Sequence, residues 1–223
     1  MIIKVCGMRN PENIREVAGL RPDWMGLIFY EKSPRNVELR PTSAGIVPDN
    51  ASEAASAIPK GIKRVGVFVD EMPQTIIAKA VLYDLDILQL HGEETPTLIR
   101  NLRATMVPDL RPNLLIMKVI SIREPKDLAK CSIYEDCADL LLFDTKCKAK
   151  GGSGQQFDWD FLRFYHGNLP FILSGGIGPD DSERIKAIKH DKMLGIDLNS
   201  RFETSPAMKD TESLRQFIYS VRN

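Results

Sequence analysis

The sequence predicts an α/β protein, a single (β/α)8 TIM barrel spanning residues 1–223, and three observations carry that expectation. Short apolar runs alternate with longer amphipathic or polar stretches about eight times along the chain, the rhythm of parallel strands each returned by a helix. The runs are continuously apolar, which suits strands covered on both faces. The length of 223 residues is enough for one such barrel, and no Pro/Gly/Ser-rich linker divides the chain. An open doubly wound sheet is the competing architecture. It usually has fewer strands and a glycine fingerprint after the first one, whereas Cys6-Gly7-Met8 stands in that place here.

In chain order, strands are expected at 2–6, 25–29, 64–68, 87–90, 114–120, 140–143, 171–173 and 193–197. Asn10-Pro11 opens the first helix, with a capping side chain ahead of a proline at the first helical position. Between 73 and 83, Ile76, Ile77, Ala80 and Val81 form a helical stripe. Thr95-Pro96 opens another helix with Leu98 and Leu102 on one face, and Pro125, Asp181 and Asp210 begin three more. Segments 37–52 and 104–113 are the least regular and read as loop insertions.

Composition narrows the class of partner. Apolar residues make up 43% of the chain, too many for a disordered protein. Thirty Lys and Arg balance thirty Asp and Glu, so no global field draws in nucleic acid or a membrane surface. An anionic substrate must then be held by local devices such as an arginine, backbone amides or helix N-termini. The opening MIIKVCGMRN lacks a signal pattern, and no apolar run approaches the ~18 residues of a membrane span. Cys6, Cys131, Cys137 and Cys147 lack metal spacing, and His91, His166 and His190 lie far apart, so no metal site is expected. Cys131 and Cys137 are expected in the core or on a helix–strand connection. The chain reads as a cytoplasmic protein with reduced thiols and a small-molecule partner. Whether it is a monomer or a homodimer is left open.

Barrel enzymes do their chemistry at the C-terminal ends of the strands, which makes a short set of residues candidates. Cys6 ends the first strand; taken alone, it also reads as a buried small hydrophobe. Arg35 follows Ser33-Pro34 after the second strand and can present a guanidinium fork to a carboxylate or phosphate. Leu140-Leu141-Leu142-Phe143 runs straight into Asp144, where partial desolvation favours the protonated carboxyl that a general acid needs. Gly151-Gly152-Ser153-Gly154 can fold over a ligand and donate amides to an anion. Ser174-Gly175-Gly176-Ile177-Gly178-Pro179 and Asp197-Leu198-Asn199-Ser200 follow the seventh and eighth strands, where barrels often bind phosphate.

These motifs, taken together, resemble the phosphoribosylanthranilate isomerase family of tryptophan biosynthesis. The likeness is carried by Lys4-Val5-Cys6-Gly7-Met8-Arg9, Gly26-Leu27-Ile28-Phe29 with Ser33-Pro34-Arg35, Gly66-Val67-Phe68-Val69 and Gln89-Leu90-His91-Gly92. It continues through Asp144-Thr145-Lys146 with the glycine loop and Phe157-Asp158-Trp159, then Leu173-Ser174-Gly175-Gly176 and Asp197. It runs from Ile3 to Glu203. The resemblance implies a (β/α)8 barrel and an Amadori rearrangement of an aminoaldose, N-(5-phosphoribosyl)anthranilate, into a 1-deoxyribulose aminoketose. It implies Cys6 as general base and Asp144 as general acid. Arg35 would hold the anthranilate end, with Asp197 beside it. Gly152, Ser153, Gly175, Gly176, Asn199 and Ser200 would also contact substrate, the phosphate lying at the last two loops. No cofactor is implied, because the Schiff base formed on ring opening itself withdraws electrons.

Two features extend this reading. Strand side chains alternate, so Lys4 shares a face with Cys6, about 6–7 Å along the strand. The ammonium is expected to make the thiol more acidic unless a carboxylate neutralises it. The family often reads Asp-x-Ser-Ser-Gly-x-Glu after the eighth strand, whereas this chain has Arg201 at the glycine position. An arginine cannot take positive φ cheaply; it either adds a charge near the phosphate or points to solvent, and the second is the expectation. Two other functions stay in view. One is the histidine-pathway isomerase, which performs the same rearrangement on a different aminoribose but has an aspartate where Cys6 stands. The other is a catalytically silent barrel sensing redox state through Cys6 and Cys147.

Overall fold

The computed structural model describes residues 1–38, 50–107, 110–145 and 156–223. Eight parallel strands close a barrel in chain order: β1 (Ile2–Val5), β2 (Trp24–Ile28), β3 (Lys63–Phe68), β4 (Ile87–Leu90), β5 (Leu115–Ile122), β6 (Leu140–Thr145), β7 (Phe171–Leu173) and β8 (Met193–Leu198). Closure comes from β1 against β8, with Lys4 opposite Asp197. The α/β barrel expected from the apolar rhythm is therefore the fold.

Strand periodicity separates two cores. Trp24, Val65, Ile87, Met117, Val119, Leu140, Leu142 and Ile172, with Ile2 and Leu115 against them, fill the inside of the ring. The intervening residues point outward, and Ile3, Val5, Met25, Leu27, Leu88, Leu141, Phe143 and Ile196 join a larger cluster with the helices. Side chains at alternate strand positions point to opposite faces, so one continuous apolar run serves both cores.

The helices expected at Asn10-Pro11, 73–83, Thr95-Pro96, Asp181 and Asp210 form, and one more, at Asn50–Ala57, was not expected. Asn10 accepts from Asn13 N at 2.9 Å ahead of α1 (Pro11–Ala18). Then come α2 (Asn50–Ala57), α3 (Pro73–Leu82) and α4 (Pro96–Met106), the last capped by Thr95 accepting from Leu98 N at 3.2 Å. After β7 a single 3-10 turn, Pro179–Asp181, leads into α5 (Ser182–Ala187), and Asp210 caps α6 (Thr211–Arg222).

Three expectations, at Pro125, 104–113 and 37–52, need correction, and two further elements were not expected. The segment begun by Pro125 is a 3-10 helix, Pro125–Tyr134, whose Asp127 carboxylate folds back to accept from the amides of Arg123 and Glu124. Another 3-10 helix, Trp159–Phe164, follows β6. The stretch 104–113 is not all loop, because α4 continues to Met106, which is fully buried and so rewards one more turn. A hairpin that the apolar pattern does not announce, β9 (Glu203–Ser205) with β10 (Met208–Lys209), sits between β8 and α6. Of the proposed insertion at 37–52, residues 39–49 lie outside the described residues, and positions 50–52 are not loop but the first turn of α2. Cys131 and Cys137 are buried free thiols at the 3-10 helix and its exit, as expected.

Candidate active site

The site grows from the inward faces of the strands at their C-terminal ends. On β1 the inward series is Ile2, Lys4 and then Cys6 just past the strand, and on β6 it is Leu140, Leu142 and Asp144. On β7 and β8 it leads to Ser174 and Asp197, and on β4 to Gln89. The predicted base and acid thus point into the same mouth. Cys6 fits because β2 carries glycine beside it: a Cβ on Gly26 would lie 2.7 Å from the Cys6 Sγ.

Behind Cys6 is a buried ion pair. Lys4 Nζ donates to Asp197 Oδ1 at 2.9 Å, and Ser174 Oγ donates to Asp197 Oδ2 at 3.3 Å. Burial works against the Lys4 charge, but Asp197 and then Cys6 outweigh it and hold the ammonium above its usual range. Cys6 behaves differently from the expectation that Lys4 would acidify it. Lys4 does pull the thiol down, yet burial is the larger effect and Asp197 adds to it, so the thiol is pushed up. The physical reason is first the depth of burial and then that Lys4 arrives with its own carboxylate, which opposes its field.

Asp144 stands across the mouth. Its Oδ1 accepts from Thr145 N at 2.9 Å, and its Oδ2 lies 3.4 Å from His91 Nε2. Gly175 has φ +90°, and a Cβ there would come within 2.7 Å of Thr145 N and 3.2 Å of Asp144 Oδ1. Glycine is required both by the backbone and by the approach of β6. Asp144 also acts electrostatically on Asp197, which in turn acts on Cys6. Asp197 is therefore the shared neighbour of the two predicted proton-transfer groups.

Arg35 is placed by a second buried network. Its Nε donates to Glu203 Oε1 and Oε2 at 2.9 and 3.0 Å, and its Nη2 donates to Oε2 at 2.7 Å. Lys209 Nζ donates to Glu203 Oε1 at 2.6 Å and to Asn199 Oδ1 at 2.8 Å. Burial opposes the Glu203 charge, but Arg35 and Lys209 outweigh it and hold its carboxyl below the usual range. Burial also draws Lys209 below its usual range despite Glu203. Gly7, at φ +75°, lies between Arg35 and Asn199: a Cβ there would meet Asn199 Oδ1 at 2.8 Å and Arg35 Cδ at 2.9 Å. With the Nε–Nη2 edge of the guanidinium held by Glu203, Nη1 makes no hydrogen bond among the described residues.

The remaining sequence candidates fall at the last two loops. Gly176 has φ +71°, and its carbonyl accepts from Gln156 Nε2 at 3.0 Å. Asn199 precedes the 3-10 turn Ser200–Phe202, which begins with Ser200. Arg201 sits in that turn without positive φ, so the backbone here asks nothing of it that an arginine cannot adopt. Gly152, Ser153 and Cys147 lie outside the described residues.

Glu203, Lys209, His91 and Gln89 belong to the same mouth but carry no role in the sequence reading. Glu203 and Lys209 depend on the β9–β10 hairpin, whose two short strands leave no periodic signal. His91 and Gln89 are visible in Gln89-Leu90-His91-Gly92, and the signal that could have found them is a polar residue on the inward face of an otherwise apolar strand.

Comparisons with known proteins place the chain in a family. A family model described as N-(5'-phosphoribosyl)anthranilate (PRA) isomerase matches residues 3–220. The N-(5'-phosphoribosyl)anthranilate isomerase of Parabacteroides distasonis is 44% identical over 221 residues, covering 99% of this chain and 93% of its own. The solved phosphoribosyl anthranilate isomerase of Thermotoga maritima superposes with a TM-score of 0.81 at 30% identity, covering 100% and 99%. Another solved phosphoribosyl anthranilate isomerase holds reduced 1-(o-carboxyphenylamino)-1-deoxyribulose 5-phosphate; it superposes at 0.79 with 28% identity, covering 100% and 99%. On the matched family and the full-length relatives, this chain belongs to the phosphoribosylanthranilate isomerase family.

Proposed function

We propose that the chain isomerises N-(5'-phosphoribosyl)anthranilate to 1-(2-carboxyphenylamino)-1-deoxyribulose 5-phosphate in tryptophan biosynthesis, with Asp144 as general acid and Cys6 as general base. The observation that carries the assignment is the convergence of Cys6 and Asp144 from β1 and β6 on one mouth, with Asp197 between them. Asp144 gives its proton to the furanose ring oxygen; the C–O bond breaks and the ring opens to a protonated Schiff base. The Cys6 thiolate then removes the proton from the adjacent carbon, and the electron pair moves to nitrogen, giving an enolamine. A proton returns to C1 as the enol hydroxyl gives up its own, the C2–O bond becomes the ketone, and the aminoketose is complete. Each step is general acid–base catalysis by a positioned side chain.

The surroundings supply orientation. Arg35, braced by Glu203, offers Nη1 to the anthranilate carboxylate, a charge-assisted contact that fixes the ring end. The loops at Gly175, Gly176, Asn199 and Ser200 receive the phosphate, which anchors the opposite end. Held at both ends, the sugar carbons are confined between thiol and carboxyl, and confinement of this kind lowers the barrier by removing motional freedom beforehand. Lys4 keeps the thiol from rising further by opposing the effect of burial.

Adding the protein to the fluorescent anthranilate aminoaldose tests the activity directly. Loss of the fluorescence with turnover is the expected result, together with growth of a tryptophan-requiring strain blocked at this step. Persistent fluorescence and failure to complement with a folded protein would overturn the assignment.

A further inference from the structure

We propose that Arg201 is a phosphate-binding residue in this chain, adding a cation to a subsite at the last two loops that is otherwise built from backbone and small polar groups. The inference rests on the reading of the mouth as a phosphosugar site. Arg201 follows β8, and its guanidinium reaches across to the loop after β7. A Cβ on Gly178 would lie 3.2 Å from Nη2 and 3.3 Å from both Cζ and Nε. Three atoms of the plane at nearly one distance mean that it lies face-on against the glycine. A side chain at 178 would press on it, so Gly178 leaves the room it occupies. The hydrogen-bonding edges of the guanidinium are left clear of this contact.

The charge of Arg201 is uncommitted. The residue is exposed and makes no hydrogen bond or ion pair among the described residues. The carboxylates most deeply tied into the neighbouring elements already have cations or donors. Asp181 accepts from Gly178 N at 2.8 Å, from Gln156 Nε2 at 2.5 Å and from Arg184 Nη1 at 2.8 Å. Glu203 is held by Arg35 and Lys209, and Asp197 by Lys4. The chain has no net charge, so attraction for an anion has to come from a local group such as this one. A planar guanidinium with free edges matches the bidentate geometry of a phosphate. Arg201 is exposed as the sequence reading expected, and its guanidinium lies over the loop at Gly178.

Arg201→Gln and Arg201→Lys test this with two readouts. In calorimetric titration with inorganic phosphate, Arg201→Gln should bind about 10-fold more weakly than wild type, and Arg201→Lys should recover part of the loss. Added salt should weaken phosphate binding by the wild type more than by Arg201→Gln. In steady-state turnover Arg201→Gln should raise KM by a similar factor with kcat within about twofold, while binding of anthranilate alone is unchanged. A folded Arg201→Gln protein that binds phosphate like wild type overturns the proposal, as does equal weakening of anthranilate and phosphate, which would mark a merely structural residue. Wild type that binds no phosphate overturns it too. Wild type that binds phosphate through Arg201 but turns over no substrate would instead remove the isomerase reading and leave the phosphate contact standing.

Discussion

Two layers of one barrel interior differ in character though they share the same strand faces. In the lower layer Ile87, Leu142 and Ile172 pack with Trp24, Val65 and Met117 into a dry plug. Two residues further along the same strands stand Gln89, Asp144 and Ser174, and β1 and β8 carry the polar or reactive groups Lys4, Cys6 and Asp197. A strand repeats its direction every second residue, so one register places an apolar layer and a polar layer in sequence along the axis. Burial of polar groups is costly unless they are paired, and the upper layer shows both sides of this. Lys4, Asp197 and Ser174 satisfy one another, while the Gln89 Oε1 is buried without a partner among the described residues. The lower layer is apolar throughout, and the residues proposed for chemistry stand above it.

The largest expected effect breaks the upper layer alone. Asp144→Asn keeps the shape and removes the proton, so turnover should fall by ~10²-fold or more with little change in melting temperature. Steady-state kinetics beside a thermal melt check this; near-normal turnover would mean that another group supplies the proton. Leu142→Ala, one inward position below Asp144, should do the reverse. It should cost about 2–5 kcal/mol of stability in denaturant titration, while the folded fraction keeps its turnover. A large loss of kcat without destabilisation would blur the two layers. Glu203→Gln sharpens the comparison by loosening Arg35 without touching the plug. It should raise KM by about 10-fold through misplacement of the guanidinium, with kcat less affected, and an unchanged KM would show that Arg35 needs no brace.

Much of the lower layer was legible in the sequence, since eight continuous apolar runs already imply strands covered on both sides. Cys6, Asp144 and Asp197 were legible too, because each is a polar or reactive residue that ends an apolar run. Arg35 was visible as a candidate, but its partner was not. Glu203 and Lys209 are brought to it by a two-stranded hairpin too short for any periodicity, and pairing across 168 residues depends on closure of the barrel. The effect of Lys4 on Cys6 was anticipated in direction but not in outcome. The strand pattern reveals that the ammonium shares a face with the thiol, whereas the opposing Asp197 and the depth of burial appear only once β1 meets β8.

The central claim is that the Cys6 thiol is the base, and the pH dependence of kcat/KM for wild type and Cys6→Asp tests it most directly. A base must be deprotonated to act, and burial raises the thiol above its ordinary value. Wild-type activity should therefore still be climbing as pH passes through the usual thiol range of about 8.5. A carboxylate loses its proton far lower, so Cys6→Asp should retain turnover with the ascending limb moved several pH units toward acid. An ascending limb in the same place for both proteins would show that the sulfur does not take the proton.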